Sequence, residues 1–390
     1  MENEEVITVE NKNNQGNPNH KPAGSPDGGQ FTSAGGTGSG TSSNNLKSSL
    51  LDFIKKKQAA AEPKVTFDNI AACFGLGCSL KKEHMKKSFE NGTPEAQQLV
   101  DNFFKTTKTK IFNAEKGKTA HWSVKWRCVC FNNQDLQEEL GKHSGFHAPG
   151  DTFYHEVFHA MDDMYGSGGN EGILTANYEL SNGKTLKETF HDEIAIKKYS
   201  WNTKLYDEIK SDYEKCREEE LRKNFTEEQI KDFEAKKEYY RKALFDLNYE
   251  FGKHNHISDY PSVQAYNDAW NEYNTKFKQL KKEWKQEANK MLPAVQSAQR
   301  QYLALSDFCS FIYKTGIGKQ SICGGHPKTY WSSNDGNRPI QEMWANLGSM
   351  WARGDTEGLA RMEKYFPDTV KGFKELVGKL DHIRKARYGL

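Results

Sequence analysis

Residues 201–304 constrain this chain more than any other stretch. Lysine and glutamate crowd together there with tyrosine and phenylalanine at helical spacing, through 207–224, 226–251 and 262–305, and 254–261 marks a break. That pattern predicts a long antiparallel helical hairpin, 201–304, projecting from a core built by the segments on either side of it. A helix over 299–313 then re-enters the core with Tyr302, Leu303, Leu305, Phe308 and Ile312. A mean hydropathy of −0.89 with 28% charged residues agrees: much of the length is tail, linker or solvated helix. The 390 residues still leave ample chain for one large or two ordinary domains.

Charge excludes some partners. A formal net charge of +2 and a pI of about 8.0 give no field that calls for nucleic acid or an anionic membrane. No apolar run approaches a membrane span, and the acidic start Met1, Glu2, Asn3, Glu4, Glu5 is no secretory signal. The seven cysteines form no C-x-x-C pair, which points to reduced thiols in a cytosolic compartment. Residues 1–45 are rich in Gly, Ser, Asn, Pro and Thr and read as a disordered tail. A first helix over 46–61, stopped by Pro63, opens the ordered chain.

The chemistry begins in 150–166. His155 and His159 stand four residues apart, so on a helix both imidazoles leave one face and can hold one metal ion, with Glu156 beside it. A carboxylate so placed can take a proton from a water that the ion polarises. Pro149 and Gly150 break the preceding chain, Asp151 or Thr152 can cap the helix, and Gly166 ends it. Phe153, Val157, Ala160 and Met164 give an apolar stripe roughly opposite the histidines. The plain alternative is a surface helix with two solvated histidines.

Around this helix the chain alternates short elements. Helices are expected over 79–88 and 94–104, and a strand over 108–112. Residues 121–131 alternate as one half-buried strand, whose free edge can hold an extended peptide by main-chain hydrogen bonds or simply belong to a sheet. His143 and His147 read as loop histidines. An Asn182-Gly183 turn precedes a helix over 185–199 bearing His191, Asp192 and Glu193, which read as a solvated face or as a source of a third ligand. Asp163, one step beyond His159, can orient that ligand or be solvated.

A second cluster lies near the C-terminus. Cys323-Gly324-Gly325-His326-Pro327-Lys328-Thr329-Tyr330-Trp331 is a glycine-loosened loop, and a helix starting at Pro339 places Glu342 in its first turn among Met343, Leu347 and Met350.

Together, 154–163 (YHEVFHAMDD) and 342–346 (EMWAN) resemble the lethal factor-like zincin metallopeptidases, some of which are attached to bacteriophage minor head and head-morphogenesis proteins. The likeness runs weakly through 365–369, and 19–36 resembles a linker of those phage proteins. The resemblance implies that His155, His159 and Glu342 ligate Zn2+, that Glu156 is the general base, and that Tyr330, with His326 second, stabilises the oxyanion. Two imidazoles and a carboxylate also suit zinc on general grounds. Two departures stand out: Asn346 where the family usually has a second acidic residue, and Phe158 where a glycine commonly precedes the second histidine.

The expected architecture is α+β, a mostly helical zincin-like core with a small sheet. It is drawn from 46–200, carrying the metal-binding helix, and 305–390, carrying the third ligand, with the long charged hairpin between. The expected function is zinc-dependent hydrolysis of peptide bonds in a protein substrate, as a phage-associated effector or toxin acting in a host cell's cytoplasm or the virion. A phage virion or head protein that keeps the scaffold and binds a phage or host protein through the hairpin is the alternative.

Overall fold

The computed structural model describes residues 65–116, 118–139, 148–166, 172–198, 204–254, 256–312, 322–324, 326, 328–331 and 336–390. The expectations for 1–45, 46–61, His143 and His147 lie outside these residues. The fold is α+β, mostly helical with one small sheet.

Three short helices come first, α1 (Asp68–Ala71), α2 (Lys82–Glu90) and α3 (Pro94–Thr107). Thr93 caps α3 by accepting the Ala96 N–H at 3.3 Å, and Pro94 occupies the first turn, where its missing N–H is harmless. The sheet follows: β1 (Lys110–Asn113), β2 (His121–Ser123) and β3 (Cys128–Phe131) in the order β1-β3-β2. β3 is fully buried, parallel to β1 and antiparallel to β2. The single strand expected over 121–131 is therefore a hairpin. Arg127 takes a left-handed φ of 47° at its turn, which leaves Val124 and Trp126 exposed instead of aligned with Cys128 and Cys130.

After α4 (Asn133–Glu139) comes the central helix, α5 (Asp151–Tyr165). Gly150, at φ 84°, is its N-cap residue, and a Cβ there would stand 2.9 Å from the Ser88 carbonyl oxygen. Asp151 is thus the first helical residue and makes tertiary bonds instead of capping. α5 is covered on more than one side: Phe153 stacks on Phe131 of β3 with centroids 6.0 Å apart, and Phe158 packs against Trp344 at 5.4 Å. Partly open positions are confined to Asp151, Thr152, His155, His159 and Met164, so the single apolar stripe expected from the sequence understates the burial.

Next are α6 (Leu174–Asn177) and α7 (Leu186–Lys198), separated by a turn in which Gly183 has a φ of 75° and Glu179 bridges to Thr185. The arm is built from α8 (Lys204–Asn224), α9 (Glu227–Gly252) and α10 (Val263–Ile312). At 50 residues α10 is about 75 Å long. The pairs Gln301–Glu220, Glu287–Lys236 and Tyr273–Asn248 set α8 and α9 in turn antiparallel to it. The hairpin is therefore present, with an outgoing limb broken by the Thr226 capping box and an unbroken return. α10 runs straight through 304/305, with Pro293 inside. The arm has its own small core of Leu221, Phe233, Trp284, Ala288, Met291 and Ala294.

The last helices are α11 (Lys328–Trp331), α12 (Arg338–Ala352), α13 (Thr356–Tyr365) and α14 (Pro367–Tyr388). α12 lies antiparallel on α5, tied at one end where Ser349 Oγ and Arg353 Nη2 donate to Asp151 Oδ1 at 2.6 and 3.2 Å. The two helices are in close contact at Gly348, where an added Cβ would fall 2.2 Å from the Phe158 ring. The bulky residue at 158 is accommodated by a glycine on the facing helix. Gly348→Ala is therefore expected to lower stability by about 1–3 kcal/mol through overpacking, although alanine is the better helix former by about 1 kcal/mol. Urea denaturation checks this, and an unchanged or raised midpoint contradicts it. Among the described residues no helix is long and apolar enough to cross a membrane.

Candidate metal centre

His155 and His159 leave α5 at two of its partly open positions, with side chains 16% and 14% exposed. Their Nε2 atoms are 3.1 Å apart. Glu342, in the first turns of α12, places Oε2 3.4 Å from His155 Nε2 and Oε1 3.7 Å from His159 Nε2. Donors about 2.0–2.1 Å from one tetrahedral ion stand roughly 3.3–3.4 Å from each other, so the three separations suit a shared cation. Glu342 Oε2 is buried and accepts no well-formed hydrogen bond. A buried carboxylate oxygen without a good donor is one that a bound cation would satisfy.

Burial alone would raise the pKa of Glu342. The charge of His159 and hydrogen bonds from both histidines outweigh it and hold the group well below the usual carboxylate range. Glu156 behaves oppositely: burial pushes it up to about 7, opposed by the charge of His155, reinforced by Glu342, and lowered by the Trp122 backbone N–H that donates to it. That N–H is on β2, at the edge of the sheet, so a donor the edge strand would offer an extended peptide is turned onto Glu156 instead.

Tyr330, on α11, donates its hydroxyl to Glu342 Oε1. Burial and the Glu342 carboxylate raise its pKa, so it stays a donor. The Tyr330 ring lies flat on His326, with centroids 3.8 Å apart and planes 12° apart, and the Arg338 guanidinium is 4.4 Å from the ring centroid. His326 Nδ1 is 2.7 Å from Asp307 Oδ2. Burial would lower the His326 pKa; Asp307, by charge and hydrogen bond, more than offsets it and raises it. Asp307, His326 and Glu342 are also close enough to be considered for an ion. The His326 backbone N–H, however, donates to Asp307 Oδ1 at 2.5 Å, so both Asp307 oxygens have N–H partners and the group reads as a hydrogen-bonded pair beside Glu342.

All six residues singled out from the sequence, His155, Glu156, His159, His326, Tyr330 and Glu342, thus meet in one place. Three other expectations find different partners. Asp163 faces Arg127 at 3.9 Å and not His159; the carboxylate that feels the charge of His159 is its neighbour Asp162, which accepts Thr175 N and Oγ1 at 2.8 and 3.1 Å. Asp192 pairs with Lys184 at 2.7 Å, and Glu193 accepts the Asp368 and Thr369 N–H groups at the start of α14, at 2.8 and 2.9 Å. Among the described residues, none of His191, Asp192 and Glu193 belongs to a group that could hold an ion. Asp307 and Arg338 escaped notice; the signal for Asp307 was a Ser-Asp pair between Leu305 and Phe308 on a helix otherwise entering the core.

The class that fold and site define is an α+β protein in which two histidines of one helix and a glutamate of another could hold a metal ion. No protein family, no curated protein and no solved structure matches the chain.

Proposed function

We propose that this protein is a zinc-dependent endopeptidase with a zincin-like core, acting on a protein or peptide substrate. One observation carries the reading: His155, His159 and Glu342 converge from two buried helices while Glu156, a carboxylate poised near neutrality, stands beside them. Two imidazoles and one carboxylate are a zinc donor set that leaves a fourth position for substrate. When bound, zinc supplies Lewis acidity that polarises a peptide carbonyl and acidifies water.

The chain's own residues do the rest. Glu156 accepts a proton on its carboxylate as water attacks and returns it to the leaving amine. Trp122 N–H holds that carboxylate toward the site. Tyr330, kept protonated by burial, swings its hydroxyl from Glu342 toward the oxygen on which negative charge develops. Exposed Tyr239, Phe245, Tyr249 and Trp270 on the arm support a role for it in contacting a substrate or partner protein.

The test is metal analysis of purified protein followed by exposure of the zinc-loaded form to a mixed peptide library. Stoichiometric zinc with no cleavage would sink the peptidase reading and leave only a metal site. Tyr330→Phe is expected to lower kcat by about 10²- to 10³-fold with zinc content unchanged; an unaltered kcat removes Tyr330 from the mechanism.

A further inference from the structure

The returning limb of the arm ends in two polar residues inside an apolar turn. Leu305, Phe308 and Cys309 are buried at the C-terminal end of α10, and Ser306 and Asp307 are buried with them. Buried polar groups persist when they are bonded, and both of these are bonded to the same loop. Ser306 Oγ faces the N–H groups of Ile322, Cys323 and Gly324 at 2.8, 2.9 and 3.2 Å and donates to the Gly324 carbonyl at 2.5 Å. Asp307 takes the His326 backbone N–H on Oδ1 at 2.5 Å and pairs with Nδ1 through Oδ2 at 2.7 Å. His326 can then neither rotate nor slide without breaking a charge-assisted bond. Its ring is the surface on which Tyr330 lies, and Tyr330 in turn reaches Glu342.

We infer that Asp307 is a positioning residue for the metal centre: from the base of the arm it fixes His326, and through His326 it sets the place of the Tyr330 hydroxyl. The inference rests on the peptidase reading. Asp307 is hydrogen-bonded to none of the three proposed metal ligands, although its carboxylate lies within 4.8 Å of that of Glu342. Its hydrogen bonds reach the site through the two rings, so the effect read here falls on the chemical step, with zinc stoichiometry and KM unchanged.

The test has two arms on the full chain. In metal-free protein, amide hydrogen exchange is followed at His326. Asp307→Asn keeps the shape but replaces a carboxylate oxygen by a donor, and exchange at His326 is expected to rise at least about tenfold. In zinc-loaded protein, kcat on a cleaved peptide is expected to fall about 10²-fold, the loss typical of a group displaced by about 1 Å, with KM and zinc stoichiometry unchanged. Asp307→Glu, which keeps both acceptor oxygens, is expected to recover part of kcat. An unchanged His326 exchange rate overturns the inference, as does a faster rate with wild-type kcat, or a loss of kcat accompanied by an equal loss of zinc. Failure of wild-type, zinc-loaded protein to cut any peptide counts against the peptidase reading, and the exchange arm still decides whether Asp307 holds the loop.

Discussion

Glu156→Gln is expected to keep its zinc and lose peptide hydrolysis, by about 10²- to 10⁴-fold in kcat, the usual contribution of a positioned general base. Glutamine keeps the size of the buried side chain and can still accept the Trp122 N–H, so the helix should not rearrange. What it lacks is the ability to hold a proton. The acid side of the pH profile follows from the same group. Burial places Glu156 at about 7, and only its ionised form accepts a proton, so activity is lost as pH falls through its pKa. The charge of a bound dication favours the carboxylate and moves that limb below the metal-free value. Full activity in Glu156→Gln, with zinc content measured alongside, would remove the proposed base.

The metal-binding half of the site was legible because it is local. His155 and His159 need only a helix to meet, and the breakers at Pro149, Gly150 and Gly166 mark that helix in the sequence. Glu342 was reached through a resemblance and through Pro339 at the helix start. That it meets the histidines depends on α5 and α12 packing antiparallel, which no periodicity encodes. The arm was legible as well, because Lys/Glu-rich helical spacing persists for so long. The outgoing limb was legible as two stretches, 207–224 and 226–251, and the capping box that separates them is written in Thr226 and Gln229.

The illegible parts are those set by tertiary contact. Alternation over 121–131 looks the same for one strand or for two that turn at Arg127, since a hairpin preserves the period on each side. Phe158 stood out as an odd residue before the second histidine; its compensation, Gly348, lies on another helix and becomes visible only when the two pack. Asp163 was singled out on i+4 spacing alone, yet it faces Arg127, while Asp162 turns inward to Thr175. Spacing fixes which face a residue shares, and burial decides what it meets there.

Removing the third ligand should have the largest effect on metal. Glu342→Ala is expected to weaken zinc binding by more than about 100-fold, beyond the 10- to 100-fold typical of an outer partner, because it takes away one of three donors and the only carboxylate among them. The thermal signature is equally direct. Zinc that binds the folded wild-type chain stabilises it by about 4 kcal/mol at a thousand times Kd, so its melting temperature rises with added zinc, and at the same zinc concentration that stabilisation is expected to fall to about 1.4 kcal/mol or less in Glu342→Ala. Without metal the variant is expected to melt lower than wild type. The Glu342 carboxylate is held well below the usual range by the histidine beside it, so its ionised form stabilises the fold at neutral pH, and removing it also takes the acceptor of the Tyr330 hydroxyl. Glu342→Gln, which leaves no cavity, isolates the charge. Calorimetry of both variants with and without zinc separates these effects: an undiminished zinc-dependent shift in Glu342→Ala would place the metal elsewhere.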